Sequence, residues 1–248
     1  MGKELICVQN ADLGSHPEAL ALNTSFRRDT PILKLCVEIN WEPTEPAVAV
    51  ASLEARLVKL CPSLREHECR GQEEYHILSS GDERGPRFAE SRRTVEAPLA
   101  LAHLYEHVMI DTIAFITAVP LVSGATGALK DARNRFDIFV ESPDAVAARL
   151  TVGLATSWFG ALVTGRSLNG EGRVALDLAR HFYRNQSGAL EVGGIARALG
   201  RESREVGEGL SCLERNGLTN RVGYTVNLSG VMYFSLPGAE TDLLATGR

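Results

Sequence analysis

The 248-residue sequence predicts an α+β protein of two domains, and three observations lead there. Helix-spaced and strand-alternating segments interleave through the first part of the chain. The small, polar, glycine-containing stretch GRSLNGEGR (165–173) then interrupts that pattern. Beyond it lie three short amphipathic helices and two closing strands. The expected division is an irregular segment over 1–30, a mixed α/β domain over 31–165 and a small domain over 173–237.

Residues 1–30, with Gly14, Pro17 and the Arg27-Arg28-Asp29 cluster, read as an irregular surface segment. PILKLCVEINW (31–41) alternates as a strand does, and the prolines of EPTEP end it. In AVAVASLEARLVKLC (47–61), Leu53, Leu57 and Leu60 recur at helical spacing until Pro62. GQEEYHILSSGDERGPRFAESRR (71–93) is polar and glycine-containing and reads as a long loop or lid. Pro98 suits the first turn of a helix reaching about Thr117. After Pro120 a glycine-rich turn, SGATG, leads to the strand RFDIFVE (135–141). There Phe136, Ile138 and Val140 share one face, and Asp137, Phe139 and Glu141 share the other. Pro143 and Asp144 open a further helix, DAVAARLTVGLATSWFGALV.

In the last part, VALDLARHFYR, LEVGGIARALG and SREVGEGLSCLERNGL are helices, and RVGYTVNL and VMYFSL are strands joined at Ser229-Gly230. Three helices and a hairpin make the winged-helix order, and GGIARALGRESREVGEGLSCLERNGL resembles the helix-turn-helix of bacterial winged-helix regulators. Residues 173–236 hold eight arginines, no lysine and six acids, a weak positive surplus for gripping DNA. Arg201, Arg204, Arg215 and Arg221 are the candidates for phosphate contact, although Glu202, Glu205 and Glu208 lie on the third helix. The competing reading is a module for forming a homodimer or presenting a protein partner.

A net charge of −5 argues against a chain-wide nucleic-acid grip, and 44% hydrophobic with 23% charged residues suits a folded core. The five cysteines form no CxxC pair, as expected of free thiols in a reducing cytoplasm. The N-terminus lacks a signal-peptide pattern, and no stretch reaches roughly 18 apolar residues, so no membrane partner is expected. The longest apolar run, VMIDTIAFITAVPLV, carries Asp111.

Chemistry concentrates in AHLYEH (102–107). On a helix, His103 and His107 lie about 40° apart around the axis and one turn apart along it, so two imidazoles can reach one ion. Glu106 lies on the adjoining edge, where its carboxylate can accept a proton. This is the mechanical content of HxxEH, the inverted form of HExxH, in which zinc lowers the pKa of its water to about 7. The plainer alternative is a helix with two surface histidines and a solvated glutamate. The apolar flanks Leu101, Leu104, Val108 and Ile110 imply a buried helix instead, where polar groups need partners. A third ligand has to come from elsewhere, and Glu141 at the end of RFDIFVE is the candidate.

CPSLREHECRG (61–71), LAHLYEHVMIDTIAFI (101–116) and RFDIFVESPDAVAARL (135–150) together resemble the N-terminal domain of cyanophycin synthetases, over roughly residues 31–165. In that family a PSL-EH-C element, an HxxEH helix and an apolar strand ending in Glu come in this order. The resemblance implies a metallopeptidase-like domain of the inverzincin type, with His103, His107 and Glu141 as zinc ligands and Glu106 as general base. The chain has no room for the synthetases' ATP-dependent domains and no P-loop glycine pattern. Arg133 and Arg135 are candidates for steadying a substrate carboxylate or oxyanion, while Glu66, His67 and Cys69 read as structural. Two functions follow as expectations. One is zinc-dependent hydrolysis of a peptide or isopeptide bond in a peptide or protein substrate. The other is a winged-helix transcriptional regulator whose metallopeptidase-like domain senses a peptide or metal without cutting.

Overall fold

Alternating apolar residues organise the first part of the chain around one sheet. The computed structural model describes residues 5–41, 43–66, 75–82, 85–92, 97–120, 122–129, 132, 134–166, 170–185, 190–222 and 233–237. In order the elements are β1 (Ile6–Gly14), α1 (Pro17–Leu22), β2 (Ile32–Ile39), α2 (Pro46–Leu57), α3 (Pro62–Glu66), β3 (Tyr75–Asp82), β4 (Gly85–Arg92), α4 (Ala97–Thr117), β5 (Gly124–Leu129), β6 (Arg135–Glu141) and α5 (Ala145–Val163). The six strands form one sheet in the order β1-β2-β6-β5-β3-β4. Its described pairings are antiparallel except that of β3 with β5.

Register sorts the side chains of β2 and β6 to two faces. On one face Leu33 pairs with Val140, Leu35 with Ile138 and Val37 with Phe136, and all six are buried. On the other, Phe139 joins Ala19, Leu22, Phe26, Ile32 and Ala125 in a separate small core. There the buried Asp137 meets Lys34 at 3.1 Å, and Lys34 also reaches Glu18 at 3.3 Å.

The expected strands over 31–41 and 135–141 form within a residue or two of their predicted bounds, as do the helices from 98 and 144, while the helix expected over 47–61 starts at Pro46 and ends at Leu57, four residues early. Three expectations differ. Residues 1–30 contain β1 and α1; the middle of β1 is exposed, and the strand is held by its ladder to β2, which a search for apolar alternation does not detect. The stretch 71–93, expected to be a loop, contains β3 and β4, whose polar sequences also lack an apolar alternation. SGATG, expected to be a turn, supplies most of β5. By length and composition, Pro98–Thr117 and Ala145–Val163 could each cross a membrane; they are 78% and 44% buried within the fold.

The chain divides into two compact units, Met1–Ala114 with Val119–Ala148 and Phe115–Ala118 with Arg149–Arg248. The division falls inside α5 (Ala145–Val163), ahead of the boundary expected at 165–173.

The second unit goes on with α6 (Gly170–Arg184), β7 (Leu190–Glu191), α7 (Val192–Leu199), α8 (Ser203–Arg215), β8 (Asn220–Val222) and β9 (Tyr233–Ser235). The strands pair antiparallel in the order β7-β9-β8. Gly200, in the left-handed region at φ 62°, ends α7. A capping box between Glu202 and Glu205 starts α8. Arg201, at 2.6 Å from Asp177, ties the turn between α7 and α8 to α6. Helices α6 and α8 meet closely at Gly209, where a Cβ would stand 2.7 Å from both Leu178 Cδ1 and Val174 Cγ1. Gly209→Ala should therefore destabilise the second unit by about 1–3 kcal/mol from overpacking, exceeding the roughly 1 kcal/mol that alanine gains in helix propensity. Urea unfolding followed by circular dichroism measures the difference; an equally stable variant would show that the helices do not meet there.

Candidate metal centre

Helix α4 is buried along most of its length, so its polar side chains must be satisfied inside the first unit. His107 is 3% exposed and Glu106 4%, with His103 only a little more open. The two histidines occupy successive turns, and their Nε2 atoms face each other at 3.3 Å. Their rings are nearly perpendicular, with centroids 4.8 Å apart.

Two nitrogens each about 2.0–2.1 Å from one zinc at a tetrahedral angle stand roughly 3.3 Å apart. The spacing of the pair therefore suits two ligands of a single ion. Among the described residues no group of three or more His, Cys, Asp or Glu is gathered closely enough to hold a metal.

Glu106 lies beside the pair and is fixed from the sheet. Its Oε2 accepts a hydrogen bond from the Thr126 hydroxyl on β5 and lies 3.7 Å from His103 Nδ1. Its Oε1 takes up the space left by the absent side chain of Gly124, since a Cβ there would stand 2.5 Å away. Thr126 pairs with Ile138 and Gly124 with Val140, so this contact lies on the Leu35, Ile138 and Val140 face of the sheet.

On the far side of His107, Ser63 at the start of α3 places its Oγ 3.0 Å from Nδ1. The same Oγ is 2.7 Å from Asp111 Oδ2, and the Ser63 backbone N–H donates to Asp111 Oδ1 at 3.1 Å. Burial raises the Asp111 carboxyl above its ordinary range against the opposing hydrogen bonds from Ser63 and Cys61. Burial, and then the adjacent Asp111, push the Cys61 thiol up to about 12.

Glu141 does not join the histidines. It belongs to the opposite alternation of β6, on the sheet face away from Glu106, and there it is 2% exposed. Arg27 donates to it from Nε at 3.1 Å, from Nη2 at 2.8 Å and from its backbone N, and Ser123 N donates at 3.2 Å. The carboxylate expected as a third ligand is thus the buried end of a clamp on the segment before β2, whose Arg27 end is half exposed. Arg135 opens β6 from an exposed position in the Glu141 alternation and so points away from the pair as well. Arg133, His67 and Cys69 lie outside the described residues, and of Glu66 only the backbone is described.

Of the arginines expected to contact DNA, Arg201 is taken up by Asp177. Arg204 is exposed and lies 3.7 Å from Glu208, and the Arg221 side chain is outside the described residues.

Comparison with protein-family models, curated proteins and solved structures gives no match.

Sequence reasoning does not single out Ser63, Asp111, Gly124 or Thr126. Two signals for them exist. Asp111 continues the His103, His107 stripe at the next i+4 position, and a glycine inside a strand marks a close approach of another group. The pKa shift has a definite sign. A carboxyl raised in the fold binds its proton more tightly there than in the unfolded chain, so it lowers stability above its folded pKa and ceases to do so below about 4. Asp111→Asn should therefore be more stable than the parent at pH 7, with the gap closing as pH falls toward 4. Thermal melts of both proteins across that range measure it, and a gap that widens on acidification would contradict the assignment.

Proposed function

We propose that the first unit is a zinc-dependent hydrolase of peptide or isopeptide bonds in which His103 and His107 hold the ion and Glu106 is the general base. The observation that carries this reading is the 3.3 Å approach of the two Nε2 atoms on a buried helix, beside a carboxylate fixed from the sheet. Two imidazoles so close, both desolvated, suit a shared cation better than they suit each other. A bound zinc would supply polarisation of the carbonyl and a water that ionises near neutral pH.

The chain's own residues do the rest. Thr126 and the gap at Gly124 hold the Glu106 carboxylate at the helix edge, where it takes a proton from the attacking water and returns it to the leaving amine. Catalytic zinc usually has three protein ligands, and Glu141 is committed to Arg27, so in this reading the third is another residue. The resemblance to the N-terminal domain of cyanophycin synthetases favours a peptide-like substrate. Elemental analysis should find near-stoichiometric zinc in the parent protein and none in His103→Ala or His107→Ala. In a peptide screen, Glu106→Gln should keep its zinc and lose about 10²- to 10⁴-fold in rate. A parent protein that stays metal-free after zinc is added back would sink this reading.

A second reading has its own support. The order α6, β7, α7, α8, β8, β9, with β9 between β7 and β8, suits a winged-helix domain, and with it a regulator whose first unit senses a peptide or metal. Arg204 and Arg221 would be its phosphate contacts. Fluorescence anisotropy with a random-sequence duplex should then show binding that weakens steeply between 50 and 200 mM salt, on the order of 10³-fold or more for six or more phosphate contacts. No binding at the lower salt would leave this module to protein contacts.

A further inference from the structure

We propose that Ser63 and Asp111 are the positioning residues of the metal centre: they fix the tautomer of His107 so that its Nε2 lone pair is presented toward His103. The inference rests on the zinc reading above and assigns it two residues that do not touch the ion.

Asp111 gathers donors, namely the Ser63 backbone N–H, the Ser63 hydroxyl and the Cys61 thiol. A serine hydroxyl has one proton, and the 2.7 Å contact with a carboxylate oxygen takes it. Ser63 Oγ is then left only lone pairs for His107 Nδ1 at 3.0 Å, so Nδ1 carries the hydrogen and donates it. A neutral imidazole carries one N–H, which leaves Nε2 as the basic nitrogen, and Nε2 is the atom that faces His103.

The pieces converge because His103, His107 and Asp111 stand on successive turns of α4, and the Pro62-Ser63 start of α3 lies alongside the last two. The order of the three groups also separates this arrangement from a catalytic triad. In a triad the histidine stands between the serine and the carboxylate. Here the serine stands between the other two and passes its proton toward the carboxylate, which leaves the histidine as a ligand. Outer partners of this kind, which orient a metal-binding imidazole, typically change metal affinity by 10- to 100-fold.

The test combines zinc affinity, measured by competition with a chromophoric chelator, with the ring ¹⁵N spectrum of His107 in the zinc-free protein. The parent should show the Nδ1–H tautomer and bind zinc. Ser63→Ala should lose that tautomer preference and bind zinc about 10- to 100-fold more weakly. Ser63→Thr, which keeps the hydroxyl, should restore both readouts, and this separates positioning from a general loss of fold. Zinc bound equally well by the parent and Ser63→Ala, with the same His107 spectrum, would overturn this inference and leave the zinc reading standing. A parent that binds no zinc would overturn both.

Discussion

A 21-residue helix that is apolar almost all round is satisfied only by enclosure, and the enclosure of α4 governs what its polar residues can do. Inside a fold, each of those groups must find a partner or be paid for in stability. Glu106 finds Thr126 on β5; Asp111 finds Ser63 and Cys61; the two histidines find each other. The sheet accommodates this with a gap in its own surface, since Gly124 brings backbone to the place where any larger residue would collide with the Glu106 carboxylate. The candidate centre and the core of the first unit are therefore one construction.

That construction is not the cheapest way to fill the space. A buried carboxyl whose charged form burial disfavours, a thiol held protonated beside it and two desolvated imidazoles cost stability that an apolar set of the same volume would not. Costs of this sort concentrate where a chain does chemistry or binds something. The face of the sheet that carries Phe139 has polar groups too, but there the buried Asp137 has its counter-charge in Lys34.

How much was legible in the sequence depended on whether burial writes a period into it. β6 and β2 were readable because apolar residues fill one alternation of each, and α4 because Pro98 marks its start and its leucines mark a core. β1, β3 and β4 carry no such period in their sequences, and β1 is held by its hydrogen-bond ladder to β2 with its middle exposed. In the site, the His103, Glu106, His107 spacing was readable because it is local. The part played by Ser63 was not, because it reaches Asp111 across 48 residues of chain and no local pattern encodes that approach. Glu141 shows the converse. Its alternation with Phe139 placed it on the face away from the apolar core, and that clue outweighed its position at a strand end.

The clamp between Arg27 and Glu141 also sets a timetable. β2 can pair early with β1, its neighbour in the chain, but its other edge waits for β6, and the Arg27 guanidinium waits for a carboxylate 114 residues downstream. At ribosomal rates of roughly 5–20 residues per second, that interval is on the order of 6–20 s, during which the inner edge of β2 has no native partner. Closure of the sheet is thus a late, long-range event of the kind that slows folding. The nascent N-terminal segment would have to be shielded by its own α1 and α2, or by a chaperone, until the last central strand emerges.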